Sequence, residues 1–215
     1  MQQATNKTQQ SAATAFVVPY WMKVAFFWFS CVVAAAWAGH QTHKRLFLGR
    51  LHLQALVQPT VFHNTKAPVV AAQIGNRGQQ QLLAAAGNKW ALVHFWASWC
   101  STCRDEMASL HGLSERLGDR LDVLAVAVDS NWEDVAAFFA QQRGNTAPSS
   151  SFVVLWDPQR QAANRYGIER FPESFLLSPS GFVHVGFTGA RDWSQRAVVD
   201  YVQNTIAQID GAYGN

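Results

Sequence analysis

Length, composition and charge set the first limits on this chain of 215 residues. Hydrophobic residues make up 49% of it and charged residues only 14%, which allows one domain with a hydrophobic core but leaves few charges for a wholly solvated surface. The net charge of +3 is small and no basic run alternates with aromatic residues, so nucleic acid is not an expected partner. Three cysteines are too few for a fold held together by disulfides.

The N-terminal part of the chain divides into three segments of different composition. Residues 1–14 are polar and low in complexity, which indicates a disordered tail. Residues 15–39 are almost wholly apolar, with Lys23 as the one charge and aromatic residues toward both ends. This pattern predicts one transmembrane helix, with a cleaved signal peptide as the alternative. Residues 40–67 contain scattered histidines and are interpreted as a linker.

From residue 68 to residue 211 the chain alternates between strand and helix patterns. Apolar runs bounded by turn signals indicate strands, and apolar residues at helical spacing indicate helices. The alternation predicts an α/β domain with a mixed central sheet and helices on both faces. The predicted strands are 69–74, 90–96, 121–129, 152–155, 174–177 and 182–187, and the predicted helices are 79–86, 100–117, about 131–143, 161–166 and about 192–210.

A pair of cysteines carries the chemistry of this domain. Cys100 and Cys103 directly follow the predicted strand 90–96 and open the next helix. The N-terminus of a helix stabilises a thiolate, so Cys100 is the expected nucleophile, and Cys103 is spaced to attack the mixed disulfide and release the partner. Half of a zinc site is the alternative, but no second Cys/His pair stands at a suitable spacing. The pair therefore predicts thiol–disulfide exchange.

Two separate motifs resemble those of a known family. Residues 95–107 (FWASWCSTCRDEM) resemble the active-site segment of the membrane-anchored, thioredoxin-like thiol:disulfide reductases of the TlpA/ResA/DsbE-like family. Residues 166–177 (YGIERFPESFLL) resemble the cis-proline segment of the same proteins. The resemblance covers about residues 68–209. It implies a thioredoxin fold with an N-terminal hairpin and a β-α insertion at roughly 128–152, preceded by one transmembrane helix.

The resemblance also implies which residues form the site. Cys100 and Cys103 are the implied redox pair, and Pro172 is the implied cis-proline against them. Trp99 and Phe171 are expected to bind substrate beside the cysteines. Because proline has no N–H, the backbone of Phe171 would be left free to pair with an extended substrate segment.

Two further side chains are candidates for moving the thiol proton. Glu106 lies one turn after Cys103, where these reductases carry an acidic residue, and a buried carboxylate there could take the proton of Cys103. A solvated helix glutamate is the alternative. His94 stands in the strand position where thioredoxin has a buried acid. It could accept a proton, but an ordinary core histidine is the favoured interpretation.

These features predict a thiol–disulfide oxidoreductase that mainly reduces disulfides of exported proteins, with apocytochrome c thiols as one substrate class that the family suggests. The implied partners are protein thiols or disulfides and a membrane electron donor of the DsbD/CcdA type; no cofactor or metal is expected. The implied location is the inner membrane, single-pass, with the catalytic domain in the periplasm. Positive residues favour the cytoplasmic side of a membrane, so the charges that follow the apolar segment slightly disfavour this orientation: Lys44, Arg45 and Arg50. A disulfide oxidase or isomerase and a copper-binding metallochaperone are the alternatives.

Overall fold

An eight-stranded mixed sheet runs through the computed structural model of the protein. The structure describes residues 28, 31–38, 59–75, 78–83, 88–142 and 149–213. The strands of the sheet are β1 (Pro59–Lys66), β2 (Ala71–Ile74), β3 (Gln80–Leu82), β4 (Trp90–Trp96), β5 (Leu121–Ala127), β6 (Phe152–Trp156), β7 (Glu173–Leu177) and β8 (Phe182–Thr188). The helices beside it are α1 (Ser101–Leu117), α2 (Trp132–Gln142), α3 (Gln161–Arg165) and α4 (Arg196–Tyr213).

The order of strands across the sheet is β1-β8-β7-β4-β5-β6-β2-β3. The pairs β4–β5 and β5–β6 are parallel, and the other pairs are antiparallel. β2 and β3 form the N-terminal hairpin, and α2 with β6 follows β5 as the β-α insertion. This is the mixed α/β, thioredoxin-like architecture that the motifs implied.

The central strand β4 explains where the site lies. All seven of its residues are buried, as a continuous apolar run requires in a strand covered on both faces. Alternate side chains of a strand point to opposite faces. Leu92 and Trp96 enter the core that contains residues of α1 and α4, whereas Val93 and Phe95 enter the core that contains residues of α3. His94 alternates with Leu92 and Trp96, so it faces α1.

Two predicted elements differ from the structure. The predicted helix 79–86 is wrong over Gln80–Leu82, which form β3; its end, 84–86, lies outside the described residues. The apolar spacing there resembles a helix, but pairing with β2 satisfies the backbone as a strand. Within the predicted linker 40–67, residues 59–66 form β1 and pair with β8, so the sheet begins before residue 68. β1 lies at the edge of the sheet and has few apolar residues, so its pattern gave little strand signal.

The N-terminal unit, residues 1–49, is described only in part. Residues 31–38 are helical and exposed. No helix within the described residues is both long and apolar enough to cross a bilayer. The predicted tail at 1–14 and most of the predicted anchor at 15–39 lie outside the described residues.

Asp157 is a buried carboxylate that holds the beginning of α3. Its Oδ1 accepts a hydrogen bond from the Gln161 amide and its Oδ2 from the Ala163 amide, each at 2.9 Å. We expect Asp157→Ala to lower the free energy of unfolding by about 3 kcal/mol, because it leaves two helix amides without acceptors. Urea denaturation at pH 7 measures this change.

The matched control for this prediction is Asp192→Ala. Asp192 caps the exposed amide of Ser194 at 2.9 Å, so its loss is expected to lower the free energy of unfolding by less than about 1 kcal/mol. Equal small losses in the two variants would contradict a capping role for the buried carboxylate.

Candidate active site

Cys100 and Cys103 form a disulfide at the beginning of α1. Cys100 is the N-cap residue and is half-buried, and its sulfur accepts a hydrogen bond from the Cys103 amide at 3.3 Å. Cys103 is completely buried, with 0% exposure. The amides and dipole at the helix N-terminus favour negative charge on the Cys100 sulfur. Because Cys100 is partly exposed and Cys103 is not, the sulfur of Cys100 is the one that a partner can reach.

Asp129 holds the loop between β4 and the cysteines. It is buried after the end of β5, and both of its carboxylate oxygens accept a hydrogen bond from the Ser98 amide at 3.1 Å. Its Oδ1 also accepts from Ser98 Oγ at 2.5 Å. Asp129 was not predicted as a site residue, although an aspartate directly after an apolar strand is a usable signal. The contacts fix the residue that precedes Trp99 and the disulfide.

An aromatic surface lies beside the disulfide. The Phe171–Pro172 peptide bond is cis, and Pro172 is buried. Trp99 is 68% exposed, and its ring meets the ring of Phe171 edge-on, with 5.8 Å between centroids. Phe171 and Cys100 pack against the same two hydrophobic clusters. The guanidinium of Arg160, a residue that was not predicted as part of the site, lies over the Phe171 ring at 5.3 Å from its centroid.

Glu106 is buried, with 4% exposure, so it is not a solvated helix residue. Its Oε2 accepts hydrogen bonds from the Arg191 amide at 3.0 Å and from Trp193 Nε1 at 2.9 Å. Its Oε1 has no hydrogen-bond partner and faces His94 Nε2 at 3.6 Å. Burial raises the pKa of Glu106 to about 7, although the hydrogen bonds from Arg191 and Trp193 and the charge of Arg191 act to lower it. Glu106 therefore changes its charge near neutral pH.

His94 is a neutral core histidine that touches this carboxyl group. Its Nδ1 lies 2.8 Å from Ser174 Oγ, and its side chain is fully buried. Burial, and then the positive charge of Arg191, lowers the pKa of His94 to about 3. Because the ring is neutral, one of its nitrogens can accept a proton while the other donates. If Nδ1 donates to Ser174, the lone pair of Nε2 faces the carboxyl group of Glu106.

An open cleft of about 320 Å³ lies beside Glu106, between the first turns of α1 and the segment 190–192. Its lining residues are Thr102, Asp105, Glu106, Ser109, Ala190, Arg191 and Asp192. The cleft gives solvent a route to the edge of the buried carboxyl group. In the described part of the chain, no group of three histidine, cysteine or carboxylate side chains is placed to hold a metal ion.

Comparisons with known proteins agree with this geometry. The profile of the AhpC/TSA family matches residues 63–185, which is more than half of the chain. The thioredoxin-like protein YneN of Bacillus subtilis is 28% identical over 129 residues, which are 57% of this chain and 72% of that protein. The thiol-disulfide oxidoreductase ResA of Geobacillus thermodenitrificans is 28% identical over 152 residues, which are 65% of this chain and 83% of that protein.

A solved structure is also similar. It is described as a candidate thiol:disulfide interchange protein DsbE from Chlorobium tepidum, and it matches with a TM-score of 0.58 and 27% sequence identity. The match covers 68% of this chain and 99% of that one. The fold, the disulfide at the beginning of α1 and the matches all indicate the same class of protein. The chain belongs to the AhpC/TSA family and is a thioredoxin-like thiol–disulfide oxidoreductase.

Proposed function

We propose that this protein acts in the reducing direction on disulfides of exported proteins. Exchange at this site is supported by the difference between the two sulfurs, since Cys100 is partly exposed and Cys103 is fully buried, and the reducing direction is supported by the buried carboxyl group of Glu106 one turn beyond Cys103. In the reduced protein, the Cys100 thiolate attacks a substrate disulfide, and one substrate sulfur leaves as a thiolate. The Cys103 thiolate then attacks Cys100 Sγ. This step releases the second substrate thiol and leaves the protein disulfide, so two electrons have passed to the substrate.

The aromatic surface has a role in this cycle. Trp99 supplies exposed apolar area beside the reactive sulfur, and the partly buried ring of Phe171 meets it edge-on. Pro172 has no N–H, so the backbone of Phe171 is available to pair with an extended substrate segment. One proposed substrate class is apocytochrome c, in which the disulfide between two cysteines would be reduced while the segment that carries them pairs with the backbone of Phe171. A membrane dithiol protein of the DsbD/CcdA type is the proposed electron donor that restores the two thiols.

The reducing direction makes a prediction about redox potential. Glu106, when ionised, opposes negative charge on nearby sulfurs and so favours the disulfide form of the protein, which is the form left after electron donation. The spacer Ser101–Thr102 contains no cation that would stabilise a thiolate. We expect a potential below about −200 mV, as for thioredoxin and glutaredoxins, measured by equilibration with glutathione or dithiothreitol buffers. A value near the roughly −120 mV of DsbA would instead support the oxidase alternative.

The location at the inner membrane, with the catalytic domain in the periplasm, is also proposed. It is supported by the apolar composition of residues 15–39 and by the family resemblance. An alkaline phosphatase fused after Asn215 tests it, because this enzyme is active only after export. The expected result is activity that is lost when residues 15–39 are deleted. Phosphatase activity that is absent from the full-length fusion, with an active β-galactosidase fusion at the same point, would contradict it.

A further inference from the structure

Arg160 occupies a backbone conformation that favours glycine. Among the described residues other than glycine, Arg160 alone has a φ in the left-handed region, at 55°. Residues with a Cβ adopt this region at an energetic cost. Arg160 is the N-cap residue of α3, but its side chain makes no capping hydrogen bond, and Asp157 holds the helix amides instead. The presence of an arginine here is therefore not explained by the start of the helix.

The side chain of Arg160 extends to the active site. Its guanidinium lies 5.3 Å from the centroid of the Phe171 ring, which in turn meets the exposed ring of Trp99. We call these three side chains the Arg160 strip. The strip continues to the reachable sulfur, because Trp99 precedes Cys100 in the chain and Phe171 packs against the same clusters as Cys100.

The guanidinium of the Arg160 strip is exposed and has no internal counterion in the described part of the chain. The ion pairs found there join other residues, so no described carboxylate lies within ion-pair distance of Arg160. Contact with the face of Phe171 restricts its orientation. A guanidinium held in this way presents several N–H donors in a plane, which is the geometry that carboxylates accept best.

We propose that Arg160 selects substrates that carry an aspartate or glutamate close in sequence to the reacting cysteine. The inference rests on the proposed exchange at Cys100 with a substrate segment paired along the backbone of Phe171. When a substrate segment pairs in that position, the side chains on either side of its cysteine lie close to the Arg160 strip. An acidic side chain there completes the ion pair that the protein itself does not supply.

The test uses symmetrical disulfide dimers of a short peptide that contains one cysteine. Aspartate is placed at each of the three positions on either side of the cysteine in turn, and asparagine replaces it in the matched peptide. The rate at which the reduced full-length protein cleaves each dimer is followed by quenching and chromatography. At one or more positions we expect the aspartate peptide to react about two- to fivefold faster than its asparagine match, the range that an exposed ion pair supplies. In Arg160→Gln the ratio is expected to fall to one or below, because a neighbouring carboxylate raises the pKa of the leaving thiol, and in the wild type the ratio is expected to fall at high salt.

Two further variants separate recognition from folding. Arg165→Gln removes an exposed arginine from the same helix and is expected to keep the wild-type ratio. Arg160→Gly relieves the left-handed backbone, so its thermal midpoint should not fall below that of the wild type, while the ratio is still lost. Equal rates for aspartate and asparagine peptides in the wild type, or a ratio that survives in Arg160→Gln, would overturn the inference alone. Failure of the wild type to cleave any dimer would instead contradict the proposed function, and this inference with it.

Discussion

A Cys103→Ser variant is expected to capture its substrates and to fail to release them. Cys100, the proposed nucleophile, keeps its position at the N-cap of α1 and should still attack, but the buried thiol that is proposed to resolve the mixed disulfide is missing. Turnover should fall by about a thousandfold or more, because a thiol that takes part in the reaction is removed. Non-reducing electrophoresis and mass spectrometry of the trapped adducts measure the result.

Two controls define what this experiment tests. Cys100→Ser should capture nothing, since its remaining thiol is fully buried. Cys31 is a free, exposed cysteine, so all variants are made in a Cys31→Ser background, which should itself leave turnover unchanged. Capture by Cys100→Ser and not by Cys103→Ser would mean that the roles of the two sulfurs are reversed.

Glu106→Gln is expected to slow the resolving step by about a hundredfold at neutral pH. The proposed role of Glu106 is to accept the Cys103 proton, and its pKa of about 7 suits that task. Glutamine cannot take the proton, but it can keep the hydrogen bonds from Arg191 and Trp193. Removing a carboxylate that opposes nearby thiolates should also lower the thiol pKa values. Stopped-flow rates and thiolate absorbance, each against pH, measure the two effects.

The same variant should change the pH dependence of stability. Burial raises the pKa of Glu106 from 4.5 to about 7, so its stabilising contribution is full below pH 4.5 and is lost as pH rises through 7. Glu106→Gln should therefore gain stability relative to the wild type over that window, by roughly 3 kcal/mol at most. The pKa of His94 is lowered, so its stabilising contribution changes in the opposite direction and is lost as pH falls from 6.5 toward 3. His94 is present in both proteins.

The matched control for Glu106 is Asp105→Asn. Asp105 is the exposed neighbour of Glu106 on α1 and lines the same cleft, so its loss should change neither the resolving rate nor the pH window. An unchanged rate and an unchanged titration in Glu106→Gln would reduce Glu106 to a structural residue that holds Trp193 and the Arg191 amide.

The sequence alone was sufficient for the features that are encoded locally. The continuous apolar run of β4 predicted a buried central strand, because a strand covered on both faces needs no polar positions. The cysteine pair directly after it predicted a disulfide at the beginning of a helix. The segment around Pro172 was recognised by its own consecutive residues. Each of these signals lies within one short stretch of chain.

The tertiary structure alone decided the features that join distant parts of the chain. β3 was predicted as a helix and β1 as a linker, because only their partners β2 and β8 determine that they are strands. The burial of Glu106 depends on Trp193 and the Arg191 amide, and its unpaired oxygen meets His94 from another element. The contact of Arg160 with Phe171 likewise crosses from α3 to the cis-proline segment. A single sequence carries no periodicity or spacing that records such contacts, since the two sides of each meet only when the sheet and its helices have packed.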